Sequence, residues 1–164
     1  MNTLLPFPSL NSIGLLSNAD LGVQIYEAGE LVHLLVDAPA GWYKEPAAMQ
    51  WYGHIDALKA YYNLCVILWG QRGFKQERKI YTGLDLRYST KLPPWVGDER
   101  VHTFHRATLV SRRPDFYKRY AWKVPETIKP FYPDMHERDD LGNLKYKPVV
   151  DFNFSHFLNK FTVG

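Results

Sequence analysis

Leu21, Ile25, Ala28, Val32 and Leu35 recur at alternating intervals of four and three residues, and Trp51, Ile55, Leu58, Tyr62, Cys65 and Trp69 repeat that rhythm. Only an α-helix brings such positions onto one face, so each stretch is expected to be a helix that buries its stripe against a neighbour. The first begins at Ser17 or Asn18, either of which can cap free N–H groups, carries Asp20 in its first turn and runs to about Val36. The second opens at Pro46, contains Trp51 and His54, and closes at Gly70 and Gly73. A further apolar row, Tyr61, Leu64 and Leu68, makes this helix apolar nearly all round and therefore the central one.

Around these two helices the chain is punctuated by proline. Residues 1–17 hold an apolar segment, MNTLLPFPSL, without helical period, expected to be extended and packed. Residues 93–106 read PPWVGDERVHTFHR. The prolines keep helix out of the approach, Gly97 breaks the chain, and Asp98 with Glu99 cap and charge a helix running to about Ser111. In that helix His102 and His105 stand at i and i+3, with Arg106 at i+4 from His102, so all three share a face. An aromatic platform at Trp95 leading into such a face suits a stackable, negatively charged ligand. Arg112 and Arg113 sit at the helix end, and residues 115–122 are expected to form another short helix. Beyond Pro125 helical period is lost, Asp140-Leu-Gly-Asn reads as a turn, and Phe152, Phe154 and Phe157 suggest a strand or packed arm.

At 164 residues, 46% hydrophobic and 15% aromatic, the chain can bury a core of its own, which excludes a disordered class. The expected fold is mainly α: a compact single-domain helical bundle with long loops, residues 1–124, carrying a C-terminal irregular or β-like extension, residues 125–164, packed on it. There is no apolar run of about eighteen residues and no basic n-region before a short apolar core, so neither a membrane span nor a signal peptide is expected, and the expected location is the cytoplasm of a bacterial or phage-infected cell. Cys65, inside an apolar pattern, reads as a buried small hydrophobe. There is no glycine-rich phosphate loop, and His102 and His105 lack a recognisable third ligand, so neither metal nor cofactor is expected.

Charge is distributed unevenly. Residues 1–70 carry two basic and six acidic side chains, whereas residues 71–164 carry eighteen basic and eleven acidic. A polyanion would meet the second half. Residues 71–92 interleave Arg72, Lys75, Arg78, Lys79, Arg87 and Lys91 with Phe74, Tyr81 and Tyr88, the composition of a loop that touches nucleic acid, although an ordinary solvated loop has much the same composition. Glu27 and Glu30 lie one turn apart, a pairing that by itself reads as a solvated helix face. His54, alone on its helix, fits a hydrogen-bonded core position as well as a contact to a ligand.

The segments MNTLLPFPSL, NADLGVQIYEAGELV, PAAMQWYGHIDALKAYYNLCVILWGQRGF and LPPWVGDERVHTFHRATLVSRRPDFYKRY follow one another in an order that resembles small bacterial and phage relatives of the pyrimidine-dimer DNA glycosylase of endonuclease V type. The resemblance covers residues 1 to about 120. It implies an all-helical protein that removes a damaged pyrimidine with the α-amino group at the chain start as nucleophile, borne by Met1, or by Asn2 after trimming, with Glu27 assisting. An α-amine with a reference pKa near about 8 keeps a neutral, nucleophilic fraction that lysine at about 10.4 does not. The positions just before Glu27 read Asp20, Val23, Ile25 and Tyr26, without the basic side chains the family places there.

The expected function is therefore that of a DNA glycosylase and AP lyase acting on a modified pyrimidine in double-stranded DNA. Met1 or Asn2, Glu27 and His105 would supply the chemistry. Trp51, His54, Arg72, Lys75, Arg78, Lys79, Trp95, His102, Arg106 and Arg112 would hold the DNA, with Trp95 or Trp51 stacking the displaced base. The alternatives are a DNA-binding relative without catalysis and a protein-interaction module.

Overall fold

The computed structural model describes residues 3–37, 46–84, 92–126, 131–138, 140–141 and 144–148. After a short 3-10 helix at Leu10–Leu15, the principal helix α1 spans Asn18–Asp37. Ser17 caps it: its hydroxyl accepts from the Asp20 N–H at 3.1 Å and donates to the Asp20 carboxylate at 2.8 Å. Helix α2 is only Pro46–Met49, and α3 spans Ile55–Gln71. The expectation of one helix through 46–69 is corrected here. Gly53 adopts φ +76°, a left-handed conformation that a continuous helix cannot contain, and the turn it makes puts Trp51 ahead of α3 and His54 at its N-terminal boundary.

Helices α1 and α3 are antiparallel neighbours. A Cβ added to Gly22 would lie 3.5 Å from the Trp69 ring, and one added to Gly29 would lie 3.4 Å from the Tyr62 ring, so position rises along α1 as it falls along α3. The two glycines let the aromatic rings of α3 sit directly on the backbone of α1. Leu21, Ile25, Ala28, Leu31, Val32 and Leu35 of α1 meet Leu58, Tyr61, Tyr62, Cys65 and Val66 of α3 in the core, as the spacing requires.

Helix α4 spans Glu99–Arg112, preceded by Gly97 at φ +103° and capped by Asp98, whose side chain accepts from the Arg100 N–H. Helix α5, Pro114–Tyr117, passes into a 3-10 turn, Lys118–Tyr120, and Ala121 in the left-handed region ends it (φ 50°), so the helix expected over 115–122 is shorter than its aromatic pattern. Phe116, Tyr117, Tyr120 and Trp122 pack as a ring cluster, and Phe7 meets Trp122 edge to face at 5.8 Å. The chain then forms an antiparallel hairpin, β1 Phe131–Arg138 and β2 Leu144–Pro148, paired from Phe131 with Pro148 to Asp134 with Lys145 and shifting in register before Arg138 meets Leu144. Strand β1 runs alongside α2 and α4. Asp140 and Leu141 lie in the connecting turn, while Phe152, Phe154 and Phe157 lie outside the described residues. The protein is mainly helical, and among the described residues no helix is long and apolar enough to cross a membrane.

Candidate functional site

Residues 3–6 are buried and belong to no helix or strand, so their carbonyls must find partners elsewhere. Each is met by a different side chain. Trp51 donates its indole N–H to the Thr3 carbonyl at 3.0 Å. The Tyr61 hydroxyl approaches the Leu4 carbonyl at 3.5 Å. His102 Nδ1 bonds the Leu5 carbonyl at 2.7 Å, and Arg106 Nη1 donates to the Pro6 carbonyl at 2.7 Å. Trp51, His102 and Arg106 bond the segment and Tyr61 lies against it, so three separate parts of the sequence hold it in register. Each such bond contributes about 1 kcal/mol, and more where the donor is charged.

From this segment a polar line leads to Glu27. The single hydroxyl proton of Tyr61 points to Gln24 Oε1 at 2.8 Å, much the shorter of its two contacts. That orientation turns the Gln24 amide nitrogen toward Glu27 Oε2 at 3.4 Å. Glu27 is 3% exposed, so it is no solvated surface carboxylate. Burial, with the neighbouring Cys65 and Glu27, raises the Tyr61 hydroxyl pKa well above its ordinary value and keeps it a donor. Gln24 and Tyr61 were missed in the sequence. Gln24 stands one turn before Glu27 on the same face, a signal the apolar stripe overshadowed.

The α4 trio behaves differently from its sequence expectation. His102 is fully buried, and its Nε2 accepts from the Gly97 N–H at 2.9 Å, which assigns the ring proton to Nδ1 and makes the imidazole a neutral donor to Leu5. Burial lowers its pKa, against the opposing pull of the Leu5 carbonyl and of Glu99. Arg106 is 7% exposed and is consumed by Pro6, Thr103, a close pairing with Glu99, and the Phe7 ring 4.6 Å beneath it. These two side chains therefore grip the protein's own backbone, and the phosphate role expected for them is corrected on that ground. His105 is enclosed as well, with neither ring nitrogen bonded, and burial drives its pKa to about 3. An imidazole held neutral and away from solvent is unsuited to the acid/base role expected of it.

The same correction applies to the expected stacking platforms. Trp51 and Trp95 are both 0% exposed and meet edge to face at 5.4 Å, and Trp95 donates its indole N–H to the Gln50 carbonyl at 2.9 Å. A base could stack on neither without opening the core. Arg112 bonds Asp20 at 3.1 Å within a buried cluster that also holds Ser17, Tyr117 and Arg113. Burial alone would raise the Asp20 carboxyl, but hydrogen bonds from Ser17 and Tyr117 and the charges of Arg112 and Arg113 hold it below the ordinary range. Arg112 is thus an internal counter-ion.

Other expected contacts remain at the surface. Lys75, Arg78 and Lys79 are exposed on the irregular stretch after α3, with Lys75 pairing to Glu77. Arg72 is partly engaged with Asn18 and the Gly14 carbonyl. Trp69 and Phe74 stack at 4.1 Å, and a cavity of about 250 Å³ opens between Gly22 and Ile25 on one side and Trp69, Lys75 and Arg78 on the other. His54 sits half-buried at the start of α3. Met1 and Asn2, with Arg87 and Lys91, lie outside the described residues. The structure therefore gathers Trp51, His102 and Arg106 around residues 3–6, links Glu27 to Tyr61 through Gln24, and leaves Lys75, Arg78 and Lys79 on the outside.

None of the curated proteins and none of the solved structures matches the chain. The family described as pyrimidine dimer DNA glycosylase matches it over residues 1–82, half of its length and the half that holds residues 3–6, Glu27, Trp51 and Tyr61, and the chain belongs to that family of DNA-acting proteins.

Proposed function

We propose that this protein is a DNA glycosylase with AP-lyase activity, acting on a damaged or modified pyrimidine in double-stranded DNA through the α-amino group at the chain start. The amine, on Met1 or on Asn2 after trimming, attacks the sugar C1′ as the glycosidic bond breaks and its electron pair leaves with the base. The ring opens to an imine, and loss of a C2′ proton then expels the 3′ phosphate. Glu27 steadies the cationic sugar and carries protons between these steps. Lys75, Arg78 and Lys79 hold phosphates, and residues 125–164 form an extension on a catalytic unit of residues 1–124.

One observation carries this reading. The carbonyls of Thr3, Leu5 and Pro6 are each bonded by a side chain, and Tyr61, lying against the Leu4 carbonyl, leads through Gln24 to a buried glutamate. A nucleophile at the end of a chain is useful only if the chain behind it cannot move, because reaction requires a narrow range of approach.

Borohydride trapping on duplex DNA with an abasic site, followed by mass analysis of the N-terminal peptide, tests the proposal. A covalent adduct on the first residue is expected, and Glu27→Gln should cut strand cleavage by about a hundredfold or more with binding retained. An adduct on a lysine side chain would sink the amine assignment. The second reading, a DNA-binding relative without chemistry, is favoured by α1 itself: Asp20, Val23, Ile25 and Tyr26 leave no cation ahead of Glu27. DNA binding without any adduct would establish it.

A further inference from the structure

Tyr61 reaches from α3 to α1. Its ring is held in the core against Trp51, with 5.5 Å between centroids, and its hydroxyl stands 2.8 Å from Gln24 Oε1. Tyr61 is fully buried, and Gln24 and Glu27 are each 3% exposed, so little solvent reaches this row of polar groups. Gln24 and Glu27 share one helix at i and i+3, whereas Tyr61 belongs to its packing partner.

A carboxamide beside a carboxylate has two orientations, and only one is favourable. With its nitrogen toward Glu27, Gln24 donates to Oε2 at 3.4 Å. Turned over, it would set its own oxygen against that carboxylate oxygen. A hydrogen bond of 3.4 Å is long and holds the choice only weakly by itself. The Tyr61 hydroxyl adds the deciding contact. Burial above all, with Cys65 and Glu27 close by, raises its pKa and keeps its proton, which needs an acceptor. Gln24 supplies its oxygen to that proton, and its nitrogen is thereby turned to Glu27.

A carboxylate that steadies a cationic sugar and carries protons works only within a narrow range of orientations. We propose that Gln24 is a positioning residue for this chemistry: latched by the Tyr61 hydroxyl, its amide fixes the plane of the Glu27 carboxylate. Neither Gln24 nor Tyr61 touches the DNA, and both act through Glu27. This inference rests on the glycosylase reading above. Two buried side chains that merely satisfied each other would affect stability without any coupling to Glu27.

The test compares the full-length wild type with Tyr61→Phe, Gln24→Met and the double variant on a duplex with an abasic site, at saturating DNA and per folded protein. Each single variant should lower strand cleavage by about tenfold and leave duplex affinity within about twofold, and the double variant should be no slower than the slower single one. In a Glu27→Gln background the same substitutions should change the residual rate by less than about twofold. A wild-type rate in either single variant, losses that multiply in the double variant, or lost affinity in place of lost rate would overturn the proposal. If one variant does not fold, the other carries the test through the Glu27→Gln background. Should the wild type cleave nothing, the glycosylase reading fails by itself, and NMR of the Gln24 side-chain amide decides the latch. Its proton resonances must then shift in Glu27→Gln and in Tyr61→Phe alike, and an amide indifferent to either substitution refutes it.

Discussion

Arg106 donates Nη1 to the carbonyl of Pro6 at 2.7 Å, across one hundred positions of sequence. A guanidinium on a His/His/Arg face reads in sequence as a clamp for a ligand phosphate, yet this one clamps the main chain of its own N-terminal segment. Its partners account for it fully: a carbonyl, a hydroxyl, a carboxylate and an aromatic face.

Arg106→Ala should accordingly destabilise the fold by about 2–4 kcal/mol, through lost charged hydrogen bonds and the cation–π contact, in urea denaturation. The salt dependence of DNA binding should not change. A log–log slope smaller by about one would return the side chain to the DNA-facing surface.

Trp51→Phe keeps an aromatic ring in the core but removes the donor to Thr3. A stability loss of about 1–2 kcal/mol is expected from the unpaired carbonyl. If the segment positions a nucleophile, covalent trapping should slow by more than the unfolded fraction explains, and trapping at the wild-type rate in the folded variant would separate anchoring from reactivity.

Arg78 and Lys79 face solvent on the stretch after α3. Alanine at either should leave stability within about 0.5 kcal/mol and lower the magnitude of the salt slope by about 0.9 per charge. Unchanged slopes in both variants would move the DNA to another face.

His105 gives the protein an acid limit. Its folded pKa lies at about 3, below the ordinary histidine value of 6.5, so between those pH values the unfolded chain binds the proton and the folded chain does not. Stability therefore rises with pH across that window, is fully present above it, and falls on acidification by up to about 1.4 kcal/mol per pH unit for this group. Burial is the main cause. Arg112, His102 and Arg106 add to it, and Asp20 opposes it. His102, shifted in the same direction, steepens the decline. Denaturation at pH 7, 6 and 5 should show a shallower dependence in His105→Leu, and identical slopes would refute the attribution.

The stripes of α1 and α3 were legible because a 3.6-residue period is a local property, and the cap at Ser17 and the start of α4 after Asp98 followed from local chemistry in the same way. The break at Gly53 was hidden because Trp51 continues the apolar rhythm of α3 through a turn, packing toward the same core without sharing the helix. Glu27 was singled out by resemblance, whereas its spacing from Glu30 reads as a solvated face; its burial came from packing. The partners of residues 3–6 were not legible, because nothing in sequence distinguishes a histidine or arginine that meets a ligand from one that meets a carbonyl about a hundred positions away. Periodicity gives the face of a helix, and only packing decides whether that face is outside.

The donors that seat residues 3–6 come from positions 51, 102 and 106. The segment therefore cannot be fully seated before α4 has been made, since two of its partners lie 97 and 100 positions further along. Contacts of such sequence separation also close slowly in refolding. A nascent or half-folded copy carries its N-terminal end unaligned, so under the amine reading it would be harmless to the DNA around it. Residues 3–6 acquire their full set of partners only once α4 has docked.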